Sequence, residues 1–138
     1  MQKLPDFVID FLQIFQKAGH EIFLVGGIVR ELLLNKTVNW NLADFTTSAK
    51  PEEIQKLFPH SFYENKFGTV GVKIKVGEEE IVFEVTTYRK ESNYKDRRHP
   101  EKVEWAKTID EDLSRRDFTI NAMALRLAPL AQGKQDYE

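Results

Sequence analysis

Between Val70 and Val85 the chain reads VGVKIKVGEEEIVFEV. Val70, Val72, Ile74 and Val76 alternate with Gly71, Lys73 and Lys75, the period-two pattern of a strand with one apolar face. Gly77 opens a turn, and Ile81, Phe83 and Val85 resume the alternation, so the stretch predicts a β-hairpin. Upstream of the hairpin the period changes. Leu4, Phe7, Val8, Phe11, Leu12 and Phe15 recur at helical spacing, with Pro5 suited to the first turn and Gly19 placed to end it. EIFLVGG then reads as a short buried strand closing on two glycines, and IVRELLLN as a helix turning Ile28, Val29, Leu32 and Leu33 inward. Asn39–Ala49, NWNLADFTTSA, reads as a strand entering a turn, and KPEEIQKLFP as a helix between Pro51 and Pro59.

Downstream of the hairpin, YRKESNYKDRRHPEK has neither period and is dense in charge, which predicts a long loop. VEWAKT reads as a short strand, and DEDLSRRDFTINAMAL as a helix broken near Asp117. The order is α, β, α, β, α, β, β, α, which predicts an α/β (α+β) domain: a small mixed sheet with helices packed against it.

The 138 residues, 41% hydrophobic, suit one domain with one core. A net charge of −2 argues against holding nucleic acid by bulk charge alone. The absence of cysteine excludes disulfides and thiolate metal sites. Asp6 and Asp10 interrupt any secretory apolar run, and no run approaches membrane-spanning length, so a cytoplasmic location is expected.

Three stretches carry candidate chemistry. Gly26 and Gly27 join a strand to a helix, a turn that lets backbone N–H groups approach a phosphate, and Arg30 adds positive charge one turn on. Taken alone, the glycines are more often explained by a tight turn that needs small residues, because short glycine motifs match by chance. Glu84 is a carboxylate in a strand interior, on the face opposite Ile81, Phe83 and Val85. If Asp44 lies on a neighbouring strand and the same face, the two acids converge into an oxygen site suited to Mg²⁺. Arg115 and Arg116 precede a fresh helical start at Asp117; paired arginines bind phosphate oxygens, although a solvated helix face also accounts for them. His20, His60 and His99 have no ligand spacing and are assigned to the surface.

LVGGIVRELLL, DFTTSAKPEEIQKLFP, KFGTVGVKI, FEVTTYR, YKDRRHPEKVEW and EDLSRRDFTINAMAL follow one another in a family order. Together they resemble the catalytic head domain of class II CCA-adding tRNA nucleotidyltransferases and bacterial poly(A) polymerases, over about Phe23 to Leu125. The resemblance implies a nucleotidyltransferase fold of the polymerase-β kind and template-independent addition of CMP or AMP, from CTP or ATP, to an RNA 3′ end such as that of tRNA. It implies a two-metal mechanism with Mg²⁺. By the same resemblance Gly26, Gly27 and Arg30 would cradle the triphosphate. Arg115, Arg116, Asp117 and Asn121 would shape the nucleotide site, Asp44 and Glu84 would be metal-side carboxylates, and the loop from Arg89 to Arg98 would move during nucleotide selection.

The chain departs from the family pattern in three places. The family carries two aspartates separated by one residue. Anchoring on DFTTSA makes Asp44 the second and puts Leu42 first, whereas anchoring upstream points to Asn39 and Asn41; in neither register are both acids present. Glu31 stands where the family commonly has aspartate. The chain ends about where the family's head domain closes, so residues 1–138 are expected to be a single head domain without the neck, body and tail. A weakened or inactive nucleotidyltransferase is the leading expectation, and a non-catalytic nucleotide- or RNA-binding module the alternative.

Overall fold

The computed structural model describes residues 2–41, 43–64, 68–90, 104–105, 109 and 124–125. Helix α1 (Asp6–Lys17) starts at Pro5, whose φ of −61° suits a helix entry, and carries Asp6 in its first turn and Lys17 in its last. It ends where the backbone turns left-handed at Gly19, φ +87°. There the Gly19 N–H donates to Gln16 O and the His20 N–H to Phe15 O, so two of the final carbonyls are satisfied. Its buried residues Val8, Phe11, Leu12 and Phe15 fall on one stripe.

Strand β1 (Ile22–Val25) follows, then α2 (Gly27–Leu33), β2 (Asp44–Thr47) and α3 (Pro51–Leu57). After these come β3 (Phe62–Tyr63), β4 (Thr69–Val76), β5 (Glu79–Thr87), β6 (Arg89–Lys90), β7 (Glu104–Trp105) and β8 (Ala124–Leu125). Among the described residues six strands make one mixed sheet in the order β3-β4-β5-β2-β1-β8, while β6 and β7 pair separately. Only β2 and β5 run parallel; the other pairs in the larger sheet are antiparallel.

The two faces differ in kind. Leu24, Phe45, Val85 and Val70 lie in register on one face, and Phe83 with Val72 in the next row. All six are buried, and α1 lies against them. Phe11 is the centre of that contact, with ring centroids 4.9 Å from Phe45, 4.9 Å from Phe83 and 5.3 Å from Phe58. Along the other face the register aligns Phe62, Gly71, Glu84, Asp44, Val25 and Ala124. The hairpin pattern thus reads correctly: its apolar residues face the core and Glu84 faces away.

Several expectations change. The strand in Asn39–Ala49 begins only at Asp44, because the Asn41 N–H is taken by the Asn39 side-chain carbonyl at 3.0 Å and the Ala43 N–H by Trp40 O. Those local bonds use donors that a ladder would need. Leu33 is 49% exposed rather than turned inward, since the short α2 buries the single stripe Val29–Leu32 and Leu33 lies a quarter-turn round. Ala124 and Leu125 are not helical but pair with β1, where the sheet edge offers backbone partners that outweigh local helix propensity. The charged stretch after Thr87 opens with a strand, Arg89–Lys90, paired to Glu104–Trp105. The rest of that stretch and the helix from Asp110 to Met123 lie outside the described residues.

Candidate functional site

Asp44 opens β2 and Glu84 lies midway along β5, and the parallel register makes them direct Cα partners. The Glu84 N–H donates to Ala43 O at 2.9 Å, which locks the register at this point. Direct partners project to the same side, so both half-buried carboxylates stand on the face away from α1. Neighbouring strands are about 5 Å apart, a spacing at which two carboxylates can share a cation. Behind them the Thr69 and Thr86 hydroxyls meet at 3.0 Å, and the Thr46 hydroxyl donates to Thr86 O at 3.1 Å. The threonines of the next row on the same face are therefore hydrogen-bonded among themselves, through hydroxyls and a backbone carbonyl.

Glu64 adds a third acid that the sequence reading missed. Its N–H donates to Thr69 O, continuing the β3–β4 ladder on the side of Glu84. Loss of hydration and the nearby Glu84 carboxylate raise the Glu64 carboxyl above its ordinary range. No periodic signal marks it, because β3 is only two residues long. The face thus carries like charge that a bound cation would relieve.

The glycine turn lies beside this pair. Val25, the last residue of β1, is the partner of Asp44, and Gly26 follows at φ 89°, ψ −164°. That conformation is essentially restricted to glycine. A side chain there would meet nothing within 4 Å, so backbone geometry and not lack of room requires the glycine. Arg30, one turn into α2, has a buried Nε with no hydrogen-bond partner. A buried guanidinium N–H left without an acceptor suits an anion as its missing partner.

Asn39 and Asn41 lie nearer the hairpin tip. With Phe7, Val38, Trp40, Val76, Glu79, Glu80 and Ile81 they line a cavity of about 570 Å³ near the hairpin tip. Asn41 Oδ1 faces the Val82 N–H at 3.5 Å, one same-face step from Glu84. Asp44 is therefore the residue that the sheet brings opposite Glu84. Leu42, Arg115, Arg116, Asp117 and Asn121 lie outside the described residues. His20 lies 3.6 Å from Glu53 and His60 is exposed, in keeping with surface roles.

Among the described residues no group of three or more histidine, cysteine, aspartate or glutamate side chains is placed to hold a metal. Two half-buried carboxylates still fit Mg²⁺, a hard cation that takes one or two of them and fills its octahedron with water and phosphate oxygens. No helix among the described residues is long and apolar enough to cross a membrane.

Residues 22–137 match the family model of the poly(A) polymerase head domain. The chain is 47% identical over 131 residues to a CCA-adding enzyme of Lactobacillus helveticus, covering 92% of this chain and 31% of that protein. It is 42% identical over 111 residues to the CCA-adding enzyme of Geobacillus kaustophilus, covering 80% and 26%. Among solved structures it resembles the Bacillus stearothermophilus CCA-adding enzyme in complex with CTP, with a TM-score of 0.71 and 33% identity over 90% of this chain and 28% of that one. A tRNA nucleotidyltransferase complexed with a primer tRNA and an incoming ATP analog gives a TM-score of 0.58 at 30% identity, over 89% and 32%. The chain spans between a quarter and a third of the length of the curated relatives it matches.

Proposed function

Because the chain belongs to the poly(A) polymerase head-domain family, we propose that it is a nucleotidyltransferase head that extends an RNA 3′ end from CTP or ATP. The observation that carries this reading is the register of Asp44 with Glu84, two carboxylates side by side and next to a glycine turn. The relatives are CCA-adding enzymes, one of them solved with CTP and another nucleotidyltransferase with a primer tRNA, which favours a tRNA acceptor.

In the reaction the RNA 3′-hydroxyl oxygen bonds to the α-phosphorus of the nucleotide, and the bond from that phosphorus to pyrophosphate breaks. The hydroxyl proton leaves to solvent. Mg²⁺ bound here would lower the pKa of that hydroxyl and neutralise the departing pyrophosphate. Asp44 and Glu84 would hold it from adjacent strands and so fix where the attacking and attacked atoms meet. The glycine turn at Gly26 and Gly27 would take the triphosphate, and the unpartnered Nε of Arg30 would donate to a phosphate oxygen. Arg115, Arg116, Asp117 and Asn121 are assigned by their motif to the nucleotide itself.

A binding module that keeps the nucleotide pocket without turnover is the second reading. It is favoured by one specific feature: the sequence lacks the aspartate pair of the family pattern, with Leu42 in the first position of the Asp44 register. Primer extension separates the two. The chain, a short RNA primer, labelled CTP or ATP and Mg²⁺ are expected to give slow incorporation that Glu84→Gln abolishes. Tight nucleotide binding with no incorporation at any Mg²⁺ concentration would establish the module instead.

A further inference from the structure

Phe62 is an aromatic residue on the same face as the acid pair, and nothing in the proposed chemistry uses it. It lies on the edge strand β3, opposite Gly71, which is itself opposite Glu84. A methyl group built at Gly71 would come within 2.4 Å of Phe62 Cζ, so the ring leans inward over the glycine, toward Glu84. The residue nevertheless remains 38% exposed. Lys73, two residues along β4 on the same face, places its ammonium 5.8 Å from the ring centre. Acid pair, exposed ring and cation therefore form one continuous strip across β2, β5, β4 and β3.

The order of the sheet gives the strip a direction. Gly26 and Arg30 follow β1, on one side of Asp44, whereas Phe62 lies on the far side of Glu84. An in-line displacement at phosphorus needs the attacking hydroxyl opposite the departing pyrophosphate. If the triphosphate lies against the glycine turn, the acceptor strand approaches from the side of Phe62. An aromatic ring beside a cation is the combination that holds single-stranded nucleic acid, the ring stacking on a base and the cation meeting the backbone.

We propose that Phe62 is a positioning residue that stacks on the 3′-terminal base of the acceptor RNA, with Lys73 contacting that strand's phosphate. This inference rests on the nucleotidyltransferase reading above. Stacking on a base is tolerant of its identity, so the site takes any 3′-terminal nucleotide and sets the position of the hydroxyl, not the choice of sequence.

The test measures binding of the 138-residue chain to two single-stranded RNA probes by fluorescence anisotropy, one with an intact 3′-terminal nucleotide and one abasic at that position. CTP affinity is followed in parallel by calorimetry. The parent should bind the intact probe about tenfold more tightly than the abasic one, the scale of one stacked base. Phe62→Ala should lose that difference while binding CTP as the parent does, and Phe62→Trp should keep it. Phe62→Leu, which still covers Gly71 without a ring, should melt like the parent and bind like Phe62→Ala. Lys73→Gln should weaken both probes alike. The inference is overturned if the parent does not distinguish the probes, or if Phe62→Leu retains the full difference. Binding of CTP without RNA would overturn it alone, whereas binding of neither would remove the nucleotidyltransferase reading as well.

Discussion

Glu64 and Glu84 share one face of the sheet, and loss of hydration together with the Glu84 charge makes ionisation of Glu64 unfavourable. A carboxyl whose folded pKa lies above its unfolded value contributes stability below the unfolded pKa and loses it as pH rises through the folded one. Glu64→Gln is therefore expected to melt above the parent at neutral pH in chelator-treated buffer. The gap should close as pH falls below about 4, the ordinary carboxylate value. Melting curves across pH check this; a gap that does not change with pH would place the effect outside electrostatics. The neighbouring question is the missing acid. In the register that makes Asp44 the second acid of the family pair, Leu42 stands in the first place, so Leu42→Asp should strengthen Mg²⁺-dependent incorporation in the primer assay, while Asn39→Asp with Asn41→Asp should not. The reverse outcome would mean that the upstream register governs the metal strand.

At the scale of elements, α1 and the β4–β5 hairpin were legible because each repeats its period over many residues: helical spacing through Phe15, strict alternation from Val70 to Val85. The pairing of β2 with β5 was not legible, since a parallel ladder joins segments about forty residues apart and no local pattern encodes its register. That pairing is what turns two isolated acids into a candidate site. Phe62 and Glu64 escaped for the opposite reason: β3 is too short to show a period. The start of β2 was misplaced because the Asx-type bond of Asn39 competes with the ladder. The helix and sheet depend on each other through Phe11, which is buried against Phe45, Phe58 and Phe83. Phe11→Ala is expected to cost about 3–5 kcal/mol, from lost apolar transfer plus the cavity left behind. Urea denaturation reads this directly, and a loss under about 1 kcal/mol would show that α1 is not the cover of the sheet.

For the molecule as a whole, the sheet divides the labour between its faces: an aromatic core under α1 on one side, the acids with their neighbouring glycine turn and exposed ring on the other. The two acids could be singled out in the sequence; their meeting on one face could not, because it depends on strand order. The proposal that this face is a cation-dependent nucleotide site is tested most directly by calorimetric titration of CTP into the chain, with and without Mg²⁺, for the parent and for Glu84→Gln. Mg²⁺ is expected to tighten CTP binding to the parent by about tenfold or more, equivalent to about 1.4 kcal/mol, and to do little for the variant. Equal tightening in both proteins, or none in the parent, would contradict a metal-bearing role for the Asp44–Glu84 pair.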